Sequence, residues 1–260
     1  MATVPALPLF YNDLVPLSST QHADWKLVTQ DVAPFLVHQH AIPVTIDEFI
    51  LCSRTYPIIF SAGDNPVPLI LMAMNEGVNA FVDDDGRLAV PTYVPAYVRR
   101  YPFLLARLNP NGEELSLCFD PTAPGMGPGD EGNALFDNGE PSQATKDILG
   151  FCEQFEAAGA RTGQFMDELK KLDLLMDGEV SIQPEGEGVQ PFIYRGFQMV
   201  NEEKLRDLRG DELRKISQNG MLPLLYAHLF SLQLMSNVFS MQVAAGKGPQ
   251  PTIQAPTTVQ

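Results

Sequence analysis

Apolar and polar positions alternate in short blocks along the first half of the chain, then recur at spacings of three and four in the second half. The alternation in residues 35–44 (FLVHQHAIPV) predicts a strand. Thr45 is placed to cap a short helix over residues 46–52, with Asp47 and Glu48 in its first turn. Residues 56–62 and 67–74 read as two strands, and Gly63-Asp64-Asn65-Pro66 between them as the turn of a hairpin. A second hairpin-type turn is expected at Asp84-Asp85-Gly86, flanked by residues 79–83 and 87–90. Residues 97–107 suit a short helix and 115–120 a strand, while residues 121–141, rich in Gly, Pro and acids, read as a long loop.

Ser142 opens the longest helical pattern. Ile148, Cys152, Phe155, Thr162, Phe165, Met166, Leu169 and Leu172 fall on one face, and the helix is expected to end near Asp177-Gly178. A hairpin follows, with strands at 180–183 and 191–200 around the loop PEGEGV. Asn201 is placed to cap a helix through Leu208, and Asp211 another that ends at Asn219-Gly220. Strands come first and helices later, which points to an α+β fold of antiparallel hairpins packed with a long amphipathic helix and C-terminal apolar helices. A single domain is expected over residues 1–241, with a disordered polar tail at 242–260.

The run 221–239 contains no formally charged residue and as a helix would be about 28 Å long, close to bilayer thickness. Pro223, His228, Ser231, Gln233, Ser236 and Asn237 favour a buried core helix over a membrane span. The formal net charge is −15, so the surface repels phosphate backbones and nucleic-acid binding is not expected. Residues 130–187 hold 14 acids and four bases, a solvated face that could also dock a basic partner. Cys52, Cys118 and Cys152 sit among apolar neighbours without CxxC spacing, which suits small buried hydrophobes in a reducing compartment. The first residues lack the basic and apolar regions of a secretory signal, so the expected location is cytoplasmic.

Two constellations could carry chemistry. His38 and His40, two apart on a strand, would share a face and could reach one metal ion with an acid such as Glu48. Arg99 and Arg100, between Tyr97 and Tyr101, could clamp a carboxylate, a phosphate or a partner, or else anchor the Pro-rich segment through internal ion pairs. The glycines at 125, 127, 129 and 132 lie beside Asp130 and Glu131, which would repel a phosphate. The Asp83-Asp84-Asp85 and Asp137-Asn138 clusters lack the register of a calcium loop. No GxSxG elbow occurs, no catalytic residue set emerges, and no cofactor is expected.

Several longer blocks add up to a pattern: EFILCSRTYPIIF (48–60), NAFVDDDGRL (79–88), YVPAYVRRYPFLLA (93–106), LCFD (117–120), LFDNGEPS (135–142), RGFQMVNEEKL (195–205) and NGMLPLLYAHLFSL (219–232). In these the chain resembles the bacterial SapC family, with Leu88 standing where the resemblance leads one to expect Trp. The family takes its name from a surface-layer-associated protein. Its members tend to be encoded near outer-membrane receptors and flavin-dependent halogenase-like enzymes. The resemblance therefore implies a non-enzymatic accessory protein with a protein partner, linked to the cell envelope or to substrate uptake and modification. A metal-dependent or ligand-binding module using His38 and His40, and a structural surface-layer component, are the alternatives.

Overall fold

Ile58, Ile59 and Phe60 are consecutive and all buried. Alternate side chains of a strand face opposite ways, so three buried in a row require cover on both faces. Their strand lies in the middle of a five-stranded antiparallel sheet that frames the main core.

The computed structural model describes residues 7–88, 91–109, 114–183 and 190–248. The described elements begin with β1 (Val15–Pro16), β2 (Trp25–Leu27) and β3 (Ala41–Pro43), then helix α1 (Phe49–Cys52). The hairpin β4 (Ile58–Ser61) and β5 (Pro68–Leu71) follows as expected, with Gly63 at φ +100° in its turn. Helix α2 (Ala96–Arg100) leads into β6 (Phe103–Ala106) and β7 (Ser116–Phe119). Four short strands, β8 (Met126–Pro128), β9 (Asn133–Ala134), β10 (Phe136–Asp137) and β11 (Glu140–Pro141), precede the long helix α3 (Gln143–Lys171). The chain continues through β12 (Leu175–Ile182), β13 (Phe192–Val200), α4 (Glu202–Arg206), α5 (Gly210–Gln218), α6 (Met221–Ser231) and α7 (Met235–Ala244).

The main sheet runs β12-β13-β4-β5-β3, a second sheet runs β1-β7-β6, and β2 lies between β8 and β9. The fold is α+β. Ser142 and Asn201 cap as expected: the Ser142 hydroxyl accepts from the Thr145 amide at 3.2 Å, and the Asn201 side chain from the Lys204 amide at 3.0 Å. Asp211 does not cap its helix; it lies in the first turn, and Arg209 holds the N-cap position. Cys52, Cys118 and Cys152 are all buried free thiols.

Local expectations fail where tertiary contacts outbid the pattern. Residues 35–44 hold a 3-10 turn at Pro34–Leu36, and only Ala41–Pro43 is strand. The turn is held by the buried Asn79 side chain, which donates to the carbonyls of Leu36 (3.0 Å) and Gln39 (3.1 Å). The helix expected over 97–107 stops at Arg100, because Pro102 disfavours helical backbone at the residue before it, and β6 takes over. Helix α3 ends at Lys171, with Asp173 in the left-handed region at φ +53°, so Asp177-Gly178 falls inside β12. Gly178 is needed there, since a Cβ would lie 2.2 Å from the Phe197 ring. The 121–141 loop contains strands because β8 and β9 complete their pairing on β2.

The C-terminal helices close over the sheet. His228 is fully buried, and its Nε2 accepts from the Val200 amide at 3.1 Å. An amide can only donate, so the proton sits on Nδ1, which donates to the Ile58 carbonyl at 2.8 Å. The Ser231 hydroxyl accepts from the Ile58 amide at 2.9 Å. Helix α6 is thereby sewn to both β4 and β13. Gln242, assigned above to the tail, is fully buried in α7, and its Oε1 accepts from the Met74 amide at 2.8 Å. The body thus extends past the expected boundary at 241, while residues 249–260, the loop at 184–189 and residues 89–90 lie outside the described residues. By length and composition Met221–Ala244 could cross a membrane, and 33% of its most apolar window is buried. Met221, Leu225, Met235 and Val238 face the core, while Phe230 is 66% exposed.

Candidate functional site

Glu48 organises the region around α2. Its buried carboxylate accepts from the Tyr93 hydroxyl (2.8 Å) and the Ala96 amide (2.6 Å), and on its other oxygen from the Thr45 hydroxyl (3.1 Å). Thr45 holds the expected N-cap position, Glu48 reaches back to its amide at 3.5 Å, and the same carboxylate also fixes the start of α2. Burial, with Glu48 adding to it, pushes the Tyr93 hydroxyl up to about 12.

Successive helical residues point about 100° apart, so adjacent arginines on one helix turn to different surroundings. Arg100 turns inward. Its guanidinium lies 4.4 Å from the Tyr97 ring centroid and 4.3 Å from that of Phe155, and 3.6 Å from the Glu156 carboxylate on α3. Its Nε is buried without a hydrogen-bond partner. Tyr97 is buried beside it, its hydroxyl donating to the Leu9 carbonyl at 3.4 Å.

Arg99 turns outward. Its Nε donates to the Val94 carbonyl at 3.0 Å and its Nη2 to the Tyr93 hydroxyl at 3.1 Å, with the Phe151 ring centroid 5.0 Å away. Among the described residues no carboxylate forms an ion pair with it. Tyr101, at the end of α2, packs against Phe35 with centroids 4.4 Å apart and ring planes 46° apart, and its hydroxyl, pushed up to about 12 by burial and by Asp120, reaches that carboxylate at 3.5 Å.

A cleft of about 710 Å³ opens on this outward side. Its walls are residues 27–36, the turn at Gly86–Leu88, and Val94, Val98, Arg99 and Tyr101. The charged residues of its lining are two arginines, Arg87 and Arg99, and one aspartate, Asp31, so the cleft carries a small cationic excess on a chain of net charge −15. The close approach of Gly86 to the 33–34 segment shapes one wall. Gly86 has φ +82°, accepts from the Ala33 amide at 2.8 Å, and has no room for a Cβ, which would lie 2.5 Å from the Pro34 nitrogen.

A family model described as SapC matches residues 17–238. The chain belongs to the SapC family. No curated protein and no solved structure matches it.

In this SapC chain the other candidates are dispersed. His38 lies in a turn, where its Nδ1 meets the Gly77 carbonyl at 3.1 Å, and His40 precedes β3, so the shared strand face that would have joined them is absent. Glu48 is taken up by Tyr93, Ala96 and Thr45. No group of three or more His, Cys, Asp or Glu side chains suited to a metal ion occurs among the described residues. Burial lowers the affinity of His228 for a proton to a pKa of about 4, against a smaller opposing effect of the bond to Ile58. Burial pushes the Cys152 thiol up to about 11.

The arginine pair was visible in the sequence, but the cleft was not. Residues 27–34 (LVTQDVAP) have no strong period, and nothing local announces that Gly86 will meet Ala33 and Pro34 or that Asn79 will hold the turn that follows. The one available signal was Gly86, whose turn required positive φ and whose missing side chain permits the contact.

Proposed function

We propose that this protein is a non-enzymatic accessory binding protein linked to cell-envelope or substrate-uptake and modification machinery, and that the cleft beside α2 is its working surface. The observation that carries the reading is the contrast between occupied and unoccupied chemistry. Glu48, Arg100 and His228 are spent on internal contacts, and the three thiols are buried. Arg99 is hydrogen-bonded to Val94 and Tyr93 at the wall of an open cationic cleft. The volume lies within the roughly 300–1,000 Å³ of ligand-binding clefts, and a few fixed polar groups on an apolar lining are what such sites use. SapC membership supports the envelope and uptake setting by the resemblance set out above.

The test is recovery of tagged protein from its host, with proteins and extractable small molecules identified by mass spectrometry. Envelope or uptake components, or a discrete small molecule, are expected with the native chain and should be depleted with Arg99→Gln and with Gly86→Ala. Equal recovery with all three chains would remove the cleft from the account.

A further inference from the structure

The cleft described above also has a chemical character that narrows its occupant. The lining is mostly apolar, with Phe35, Leu88, Val94, Val98 and Pro102 among its residues. Its cationic excess is small: Arg87 and Arg99 against Asp31, with no lysine. A polyphosphate would need more positive charge than this. A neutral apolar ligand seated against Arg99 would displace water from its exposed guanidinium without supplying an acceptor for the N–H groups that Val94 and Tyr93 leave free. The second cleft, about 410 Å³ between α3 and the β4–β5 hairpin, carries Asp167 and Lys170 in balance and offers no such preference.

We propose that the cleft binds an anionic amphiphile, a single carboxylate carried on an apolar body, with the carboxylate on Arg99 and the body along Phe35, Leu88, Val94 and Val98. The assignment rests on the reading of the cleft as the working surface. Arg99 suits this role because Nε and Nη2 are fixed by Val94 and Tyr93, so its orientation is set before a ligand arrives. Leu88, 40% exposed, adds an aliphatic side chain to the lining, which fits a flexible alkyl body.

Equilibrium binding of octanoate, decanoate, dodecanoate and dodecanol to the full chain, below the micelle concentrations of the acids and the solubility limit of the alcohol, tests the assignment. One site per chain is expected, tightening about three- to fourfold per added methylene. Dodecanol should bind about tenfold more weakly than dodecanoate, and Arg99→Gln should abolish that difference while leaving dodecanol binding unchanged. Equal binding of acid and alcohol, or indifference to Arg99→Gln, would overturn the role of the carboxylate. Several sites per chain, unaffected by Leu88→Asp, would mean adsorption elsewhere and would overturn the whole assignment. If no probe binds but Arg99→Gln still depletes the material recovered from the host, the ligand class is wrong and the working surface stands. If both experiments are negative, both readings fall.

Discussion

Two sides of one five-residue helix show how the same residue type serves stability in one region and exposure in another. On the side facing α3, Arg100 lies between the rings of Tyr97 and Phe155 and near Glu156. On the exposed, cleft side, Arg99 is fixed by a carbonyl and a tyrosine hydroxyl, lies against the Phe151 ring of α3, and meets no carboxylate among the described residues. The packed side has consumed its charge locally, and the cleft side has kept its charge available. Glu48 serves both by fixing the segment from which they project.

The largest effect should come from Glu48 itself. Glu48→Ala orphans the Tyr93 hydroxyl and the Ala96 amide and is expected to cost about 3–4 kcal/mol in denaturant unfolding, blurring the distinction between the sides. Next, Gly86→Ala forces a Cβ into the backbone of Ala33 and Pro34 at positive φ. About 2–3 kcal/mol should be lost, with the cleft wall displaced and the α3-facing contacts retained.

A pH series separates the packed core from the cleft. His228 has a folded pKa of about 4, below its ordinary value of 6.5. The unfolded chain therefore takes up the proton first. The contribution is complete above the ordinary value, declines as pH falls, and is gone below the folded value. About 2 kcal/mol should disappear by pH 5 through this group, and a His228→Gln chain should lack that part of the slope. A native slope no steeper than that of the variant would show that His228 is not the buried neutral staple described.

Smaller effects discriminate the two arginines directly. Arg100→Ala should cost about 2 kcal/mol through lost ring contacts, whereas Arg100→Met, which keeps the volume, should stay within about 1 kcal/mol because Glu156 is solvated. Arg99→Gln should change stability by less than about 0.5 kcal/mol, since its side chain is exposed. Equal stability losses at the two positions would erase the contrast.

What was legible in the sequence follows the range of the interactions. The β4–β5 hairpin, the Ser142 and Asn201 caps and the apolar face of α3 are specified by residues a few positions apart, and they form as expected. The end of α2 was also local in principle, because Pro102 marks it, but the apolar run beyond it imitated a continuing helix. The loss of strand at 35–40 depends on Asn79, about forty positions away, and the burial of Gln242 on Met74, over 160 away. Period alone cannot register such partners. The same distance separates the cleft walls, so the arginines could be named without the surface that gives only one of them a cleft.

Hydrogen exchange of the full chain with and without dodecanoate locates the binding surface. Added protection is expected only in residues 27–36, 86–88 and 94–102, and not in the Arg99→Gln chain. Protection appearing instead along Met221–Ala244, where Phe230 is exposed, would contradict this and move the binding surface to the apolar C-terminal helices.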